Sequence, residues 1–189
     1  MTNSRTKGSR NERNVAKLME NWSGHEFART PQSGGLHWKK AHTSGDIVCI
    51  DDRYGLRFPF SIECKFHEEL NMLHLIDDTI GKKSNKITAF WDQASADAKQ
   101  AGKIPLLFMR RNGMKAGMHF VGMDTSFFSL WLNEIQPWDN TYGLIHYFKS
   151  TKDESYNFTL MNSMDLINTD YRIIYKLGRK VIRNVLTKK

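Results

Sequence analysis

A carboxylate at the head of one strand and a Glu-x-Lys on the next constrain this chain more than anything else in it. Asp46 opens the run Asp46-Ile47-Val48-Cys49-Ile50, which is short, apolar and β-branched, as a buried strand should be. Asp51-Asp52-Arg53-Tyr54-Gly55 reads as a turn, and Phe58 to Lys65 as the strand returning from it, with Pro59 tolerable near its start. Residues two apart on a strand point the same way. Glu63 and Lys65 therefore share one face, while Phe58, Phe60, Ile62 and Cys64 bury the other. Paired antiparallel, the two strands would bring Asp46 close to Glu63. A solvated face with alternating charge explains Glu-x-Lys as well, and spacing alone leaves both readings open.

Upstream, Ser9-Arg10-Asn11-Glu12 fits a capping box, and Val15, Leu18, Met19 and Trp22 follow at helical spacing. A helix is expected over 9–22, ended by Ser23-Gly24 and preceded by a basic N-terminal arm at 1–8. Phe27 to Thr30 could form a short strand, and Pro31-Gln32-Ser33-Gly34-Gly35 must be a loop. Phe90 through Ala101 is alanine-rich and helical, with Gly102 placed to stop it. Ile104 to Met109 reads as a strand, and Arg110-Arg111-Asn112-Gly113 turns towards another at His119-Phe120-Val121. Phe127 to Ile135 reads as a short helix and Pro137 to Phe148 as irregular. A basic amphipathic helix lies within 167–186, interrupted at Gly178. This order predicts an α/β or α+β fold, a central mixed β-sheet flanked by helices. The core is expected over 9–125, with a C-terminal extension over 126–189.

At 189 residues with a 40% hydrophobic share, one domain with a real core is expected. No apolar run nears the length of a membrane span, and the N-terminus lacks the apolar segment of a signal peptide. Cys49 and Cys64 both sit in apolar strand-like runs, so reduced core thiols of a cytoplasmic protein are expected rather than a disulfide framework or zinc site. The excess of 28 basic over 20 acidic residues gives +8, which attracts polyanions, nucleic acid foremost. Arg5, Lys7, Arg10 and Arg13 crowd the N-terminus, Lys82, Lys83 and Lys86 sit mid-chain, and Arg179, Lys180, Arg183, Lys188 and Lys189 close it.

Chemically, two carboxylates beside a lysine ammonium suit a hard divalent cation and a phosphate together. Asp46 and Glu63 would ligate Mg²⁺. Lys65 would orient or help deprotonate a water, or stabilise charge on the phosphate oxygens. Glu12 has two readings, the last residue of the Ser9 capping box or a carboxylate at the end of the sheet-facing helix surface that could reach the metal.

Taken in order, Gly8-Ser9-Arg10-Asn11-Glu12-Arg13, Arg29-Thr30-Pro31-Gln32-Ser33-Gly34-Gly35, Gly45-Asp46-Ile47-Val48 and Ile62-Glu63-Cys64-Lys65 resemble the archaeal-type Holliday-junction resolvases of the PD-(D/E)xK nuclease superfamily. The resemblance covers roughly residues 8–110, and its specificity lies in the order of short motifs. It implies a restriction-endonuclease-like core, with Glu12, Asp46 and Glu63 as metal-site carboxylates and Lys65 as the catalytic lysine. Ser33 and Arg29 would be ancillary active-site or phosphate-contacting residues, and Gln93 the helix-borne polar residue near the site. The expected activity is Mg²⁺-dependent DNA endonuclease, with Mn²⁺ substituting, on a four-way junction or other branched duplex. A homodimer follows from the two-fold symmetry of a junction. Another nuclease on the same core (restriction-like, repair or packaging-associated) and a non-catalytic DNA-binding protein are the alternatives. Gly45 stands where the superfamily's name motif has proline.

Arg10, Arg13, Arg29, Lys39, Lys40, Lys82, Lys83 and Gln93 are the candidate DNA contacts. His37 and His42 flank two of these lysines in a loop that could cover the site or be merely solvated. His67-Glu68-Glu69 could suggest another metal cluster, but a solvated strand-to-loop exit explains it better. Trp131, Trp138, Tyr142, Tyr147 and Phe148 could stack on bases, though core or interface packing explains them better. Arg179, Lys180 and Arg183 form a basic stripe that could hold phosphates, and a solvated terminal helix explains it equally.

Overall fold

The strand that carries Glu63 and Lys65 is apolar enough to be covered on both faces, and it lies inside the sheet rather than at an edge. The computed structural model of the protein describes residues 4–30, 44–79, 86–135, 143–153 and 155–186. Its strands are β1 (Phe27–Arg29), β2 (Ile47–Cys49), β3 (Phe60–Phe66), β4 (Ile104–Arg110), β5 (Phe120–Asp124), β6 (Leu144–Ser150) and β7 (Ser155–Asn162). They form one sheet in the order β1-β2-β3-β4-β5-β7-β6, in which β3 and β4 are parallel and the other neighbours antiparallel. Parallel neighbours need a long crossover, and here it carries the helices α3 (His74–Thr79) and α4 (Lys86–Ala101).

Helices cover both faces. On one, Ile62, Phe108, Val121 and Met161 are buried with Val15 and Met19 of α1 (Ser4–Ser23), Phe127 and Trp131 of α5 (Thr125–Glu134), and Ile174 and Leu177 of α7 (Tyr171–Leu186). On the other, Leu107, Met109, Phe158 and Leu160 lie with Ile87, Trp91 and Ala94 of α4. The result is the expected mixed-sheet, restriction-endonuclease-like α/β architecture. The short helices α2 (Asp52–Gly55) and α6 (Ser163–Ile167) complete the described elements. Among the described residues no helix is long and apolar enough to cross a membrane.

Four local expectations are corrected. The first helix begins at Ser4, not Ser9, so residues 4–8 are helical and Ser9 is an interior residue rather than a cap. Asp52–Gly55 coils into α2 where a simple turn was expected. The stretch expected to be irregular contains β6, which pairs along its length with β7, from Leu144↔Met161 to Ser150↔Ser155. Finally, α7 passes unbroken through Gly178. A Cβ there would lie 2.7 Å from Pro59 Cγ and 2.9 Å from Phe60 Cζ, so this glycine lets the helix press against the start of β3. Gly102, by contrast, does end α4, with φ +64° and its N–H donated to the Lys99 carbonyl.

Candidate active site

The site forms where β2 and β3 part. Their ladder has a single registered pair, Ile47↔Ile62, so the β3 backbone beyond it must find other partners. Cys64 gives its N–H to the Asp46 carboxylate, Oδ2 at 2.8 Å. Asp46 is held in turn from both sides, its N–H donating to the Ile62 carbonyl at 2.7 Å and its carbonyl accepting from Thr30 N–H at 2.8 Å. The Thr30 hydroxyl adds a bond to the Gly45 carbonyl at 2.8 Å. Gly45 itself has φ +84°, and a Cβ there would fall 2.3 Å from the Ile62 carbonyl oxygen. A proline, locked near −65°, cannot adopt this conformation, which accounts for the departure from the motif's name.

Glu63 and Lys65 project together from β3 towards α4, as alternation requires. Lys65 Nζ donates to Glu63 Oε1 at 2.7 Å and to Gln93 Oε1 at 2.9 Å, while Gln93 Nε2 donates to the same Glu63 oxygen at 2.8 Å. The ammonium also lies 5.8 Å from the centre of the Phe90 ring. Glu63 is only 3% exposed. Burial first, and the negative charge of Asp46 second, hold its carboxyl above the usual range against the pull of Lys65. Asp46 is raised for the same leading reason, with Glu12 adding to it and the Cys64 N–H opposing.

Glu12 reaches the opposite side of this fork. Its carboxylate accepts from Arg29 Nε on β1, and Arg29 Nη2 donates to Ser9 Oγ at 3.3 Å. Ser9 and Glu12, one turn apart on α1, thus both grip Arg29, which replaces the capping-box reading. Among the described residues no three His, Cys, Asp and Glu side chains converge as a cation-holding group. The Glu12 carboxylate is engaged by Arg29. Asp46 and Glu63 are nonetheless hard oxygen donors whose burial and mutual repulsion leave negative charge undercompensated, a donor set that fits a divalent cation.

Arg10 and Arg13 are exposed on α1. Gln93 lies on the surface of α4 and makes the contacts above. Ser33, Lys39, Lys40, Lys82 and Lys83, with His37, His42, Trp138, Tyr142, Lys188 and Lys189, lie outside the described residues. Trp131 and Tyr147 are buried, whereas Phe148 is 63% exposed. Two contributors escaped sequence reasoning. Thr30 and Ser9 act through partners 15 and 20 residues distant, and nothing local in the sequence marks such pairings.

The pattern of a protein family described as "Phage putative PDDEXK endonuclease" matches residues 3–174. The chain belongs to this family. It is therefore a member of the PD-(D/E)xK nuclease superfamily, whose enzymes generally use divalent metals. The match contains Glu12, Asp46, Glu63 and Lys65, and it continues through β6, β7 and α6 into α7, well past the stretch that carries the sequence resemblance. No curated protein and no solved structure matches the chain significantly.

Proposed function

We propose that this family member is a divalent-metal-dependent DNA endonuclease that cuts branched duplexes, four-way junctions foremost. The observation that carries the reading is the Asp46 carboxylate set beside the Glu63–Lys65–Gln93 network at the fork of β2 and β3. Asp46 and Glu63 would hold the cation, with Mg²⁺ the natural choice for two carboxylates plus water and Mn²⁺ a substitute. When bound, the cation supplies neutralisation of phosphate charge and acidification of water.

The chain's own residues supply the rest. Lys65 donates to both Glu63 and Gln93, contacts that leave its remaining N–H for a phosphate oxygen. That favours stabilising charge on a phosphate oxygen over acting as a base. Gln93 fixes the pair and Asp46 fixes the β3 backbone, so neither need reorganise during the reaction. Glu12, tied to Arg29, contributes negative charge near Asp46. If released, it becomes a third carboxylate for the cation. Ser33, Arg10, Arg13, Lys39, Lys40, Lys82 and Lys83 are proposed to engage the DNA, and residues 126–189 to extend the nuclease core at 9–125. Paired incision of a symmetric junction calls for two copies of the chain.

The test is incubation with labelled four-way junction, flap and matched linear duplex, each with Mg²⁺, Mn²⁺ or EDTA. Metal-dependent cleavage favouring the junction is expected. Preference for linear duplex points to another nuclease role on this core, and intact DNA in every tube sinks the proposal.

A further inference from the structure

We propose that α7 carries a second DNA-contacting surface, which grips duplex backbone outside the segment being cut. The reading of the polyanion as DNA rests on the nuclease proposal, while the surface itself rests on α7. Arg172, Lys176, Arg179 and Arg183 fall at i, i+4, i+7 and i+11, one stripe with Lys180 beside it, and no acidic residue occurs between 171 and 186. At 1.5 Å per residue the stripe is about 16 Å long. Arg172 is neutralised by Asp170 at 2.6 Å. Lys176 and Lys180 are exposed, and Arg179 donates to the Arg57 carbonyl at 3.1 Å. That bond brings the exposed Arg57, just after α2, against the stripe.

A basic amphipathic helix would ordinarily also suggest a membrane surface. Here the apolar side is already used. Ile174 is fully buried, Leu177 is 6% exposed, and Gly178 abuts Pro59 and Phe60. Among the described side chains of α7 every apolar one is at least partly buried, whereas duplex DNA, with a charge about every 1.7 Å of axis, matches an elongated cationic strip. The stripe belongs to the helix layer on the α1 face, whereas Glu63 and Lys65 point at α4. It is thus separate from the cleft, and suited to a flanking segment or a second arm.

The test compares the parent with Lys176→Glu/Lys180→Glu by fluorescence anisotropy on a labelled 30-base-pair duplex in EDTA, across a salt series. Both side chains are exposed, and circular dichroism and melting verify the fold, with Lys176→Gln/Lys180→Gln as a milder second variant. Two lost phosphate contacts should weaken binding about tenfold at moderate salt and flatten the slope of log K against log salt by about two. The Gln pair should fall between. Unchanged affinity in both variants overturns the proposal, as does a parent that does not bind duplex. Loss of binding to phosphatidylserine vesicles without loss on DNA also overturns it. Because cleavage is silent in EDTA, failure of the nuclease reading shows up separately, as intact DNA with Mg²⁺ despite normal binding.

Discussion

Arg29 on β1 takes the Glu12 carboxylate of α1 as its partner, joining the helix layer to the sheet edge beside the fork of β2 and β3. Glu12 is nearly buried and Arg29 less than a third exposed, so the pair is poorly screened. Arg29→Ala leaves a carboxylate without its cation and should cost about 1–3 kcal/mol, read from urea denaturation. Arg29→Ala combined with Glu12→Gln should recover part of that loss. A double variant no better than Arg29→Ala would mean that the pair does not hold β1 to α1.

Glu63→Gln separates activity from stability. It removes a carboxylate that burial and Asp46 disfavour, so the melting temperature without metal should stay level or rise. Cleavage should fall by about 10²–10³-fold, the scale for losing a group that stabilises transition-state charge. Lys65→Ala should lose activity comparably while leaving Glu63 buried with Gln93 alone, and so should melt lower. Gel-based cleavage rates paired with calorimetry check both.

Opposite pH signatures should coexist. His119, buried between Asn11 and Gly117, is pushed down from 6.5 to about 4, chiefly by burial. The unfolded chain binds that proton first, so stability is full above pH 6.5 and lost as pH falls towards 4, by about 3 kcal/mol in all. Asp46 and Glu63 are raised from 3.8 and 4.5. Their contribution is present at lower pH and lost as pH rises through the raised values. His119→Gln should flatten the acid limb of a stability–pH profile. Mg²⁺, needing ionised carboxylates, should raise the melting temperature at pH 7.5 and not at pH 4.

Restoring the superfamily's proline should harm this protein. Gly45→Pro and Gly45→Ala both meet a positive φ, and the added Cβ meets the Ile62 carbonyl. Strain of about 1–3 kcal/mol would be relieved by shifting Asp46, the next residue. A displacement near 1 Å can cost about 10²-fold in rate. Cleavage by Gly45→Pro at wild-type rate would refute the account of this turn.

The half of the chain that builds the site was legible because its signals are local. Alternation puts Glu63 and Lys65 on one face, and a short β-branched run places Asp46 at a strand start. Ser9 misled because a capping-box pattern is satisfied equally inside a helix, and nothing in residues 4–8 stops α1 from starting earlier. β6 hid because Leu144, Ile145 and His146 are all exposed, giving no alternation to detect. Gly178 looked like a break because the sequence does not reveal Pro59 and Phe60 pressed against it.

The last strand of the chain is not the last strand of the sheet. β7 sits between β5 and β6, so the Val121 and Met123 strand acquires its outer neighbour only once residue 162 has been made. A ribosome-bound chain that has just released the residues up to β5 therefore still displays an unpaired, apolar strand margin, the kind that recruits other chains. Shortened versions ending near residue 125 should clump rather than yield a minimal enzyme.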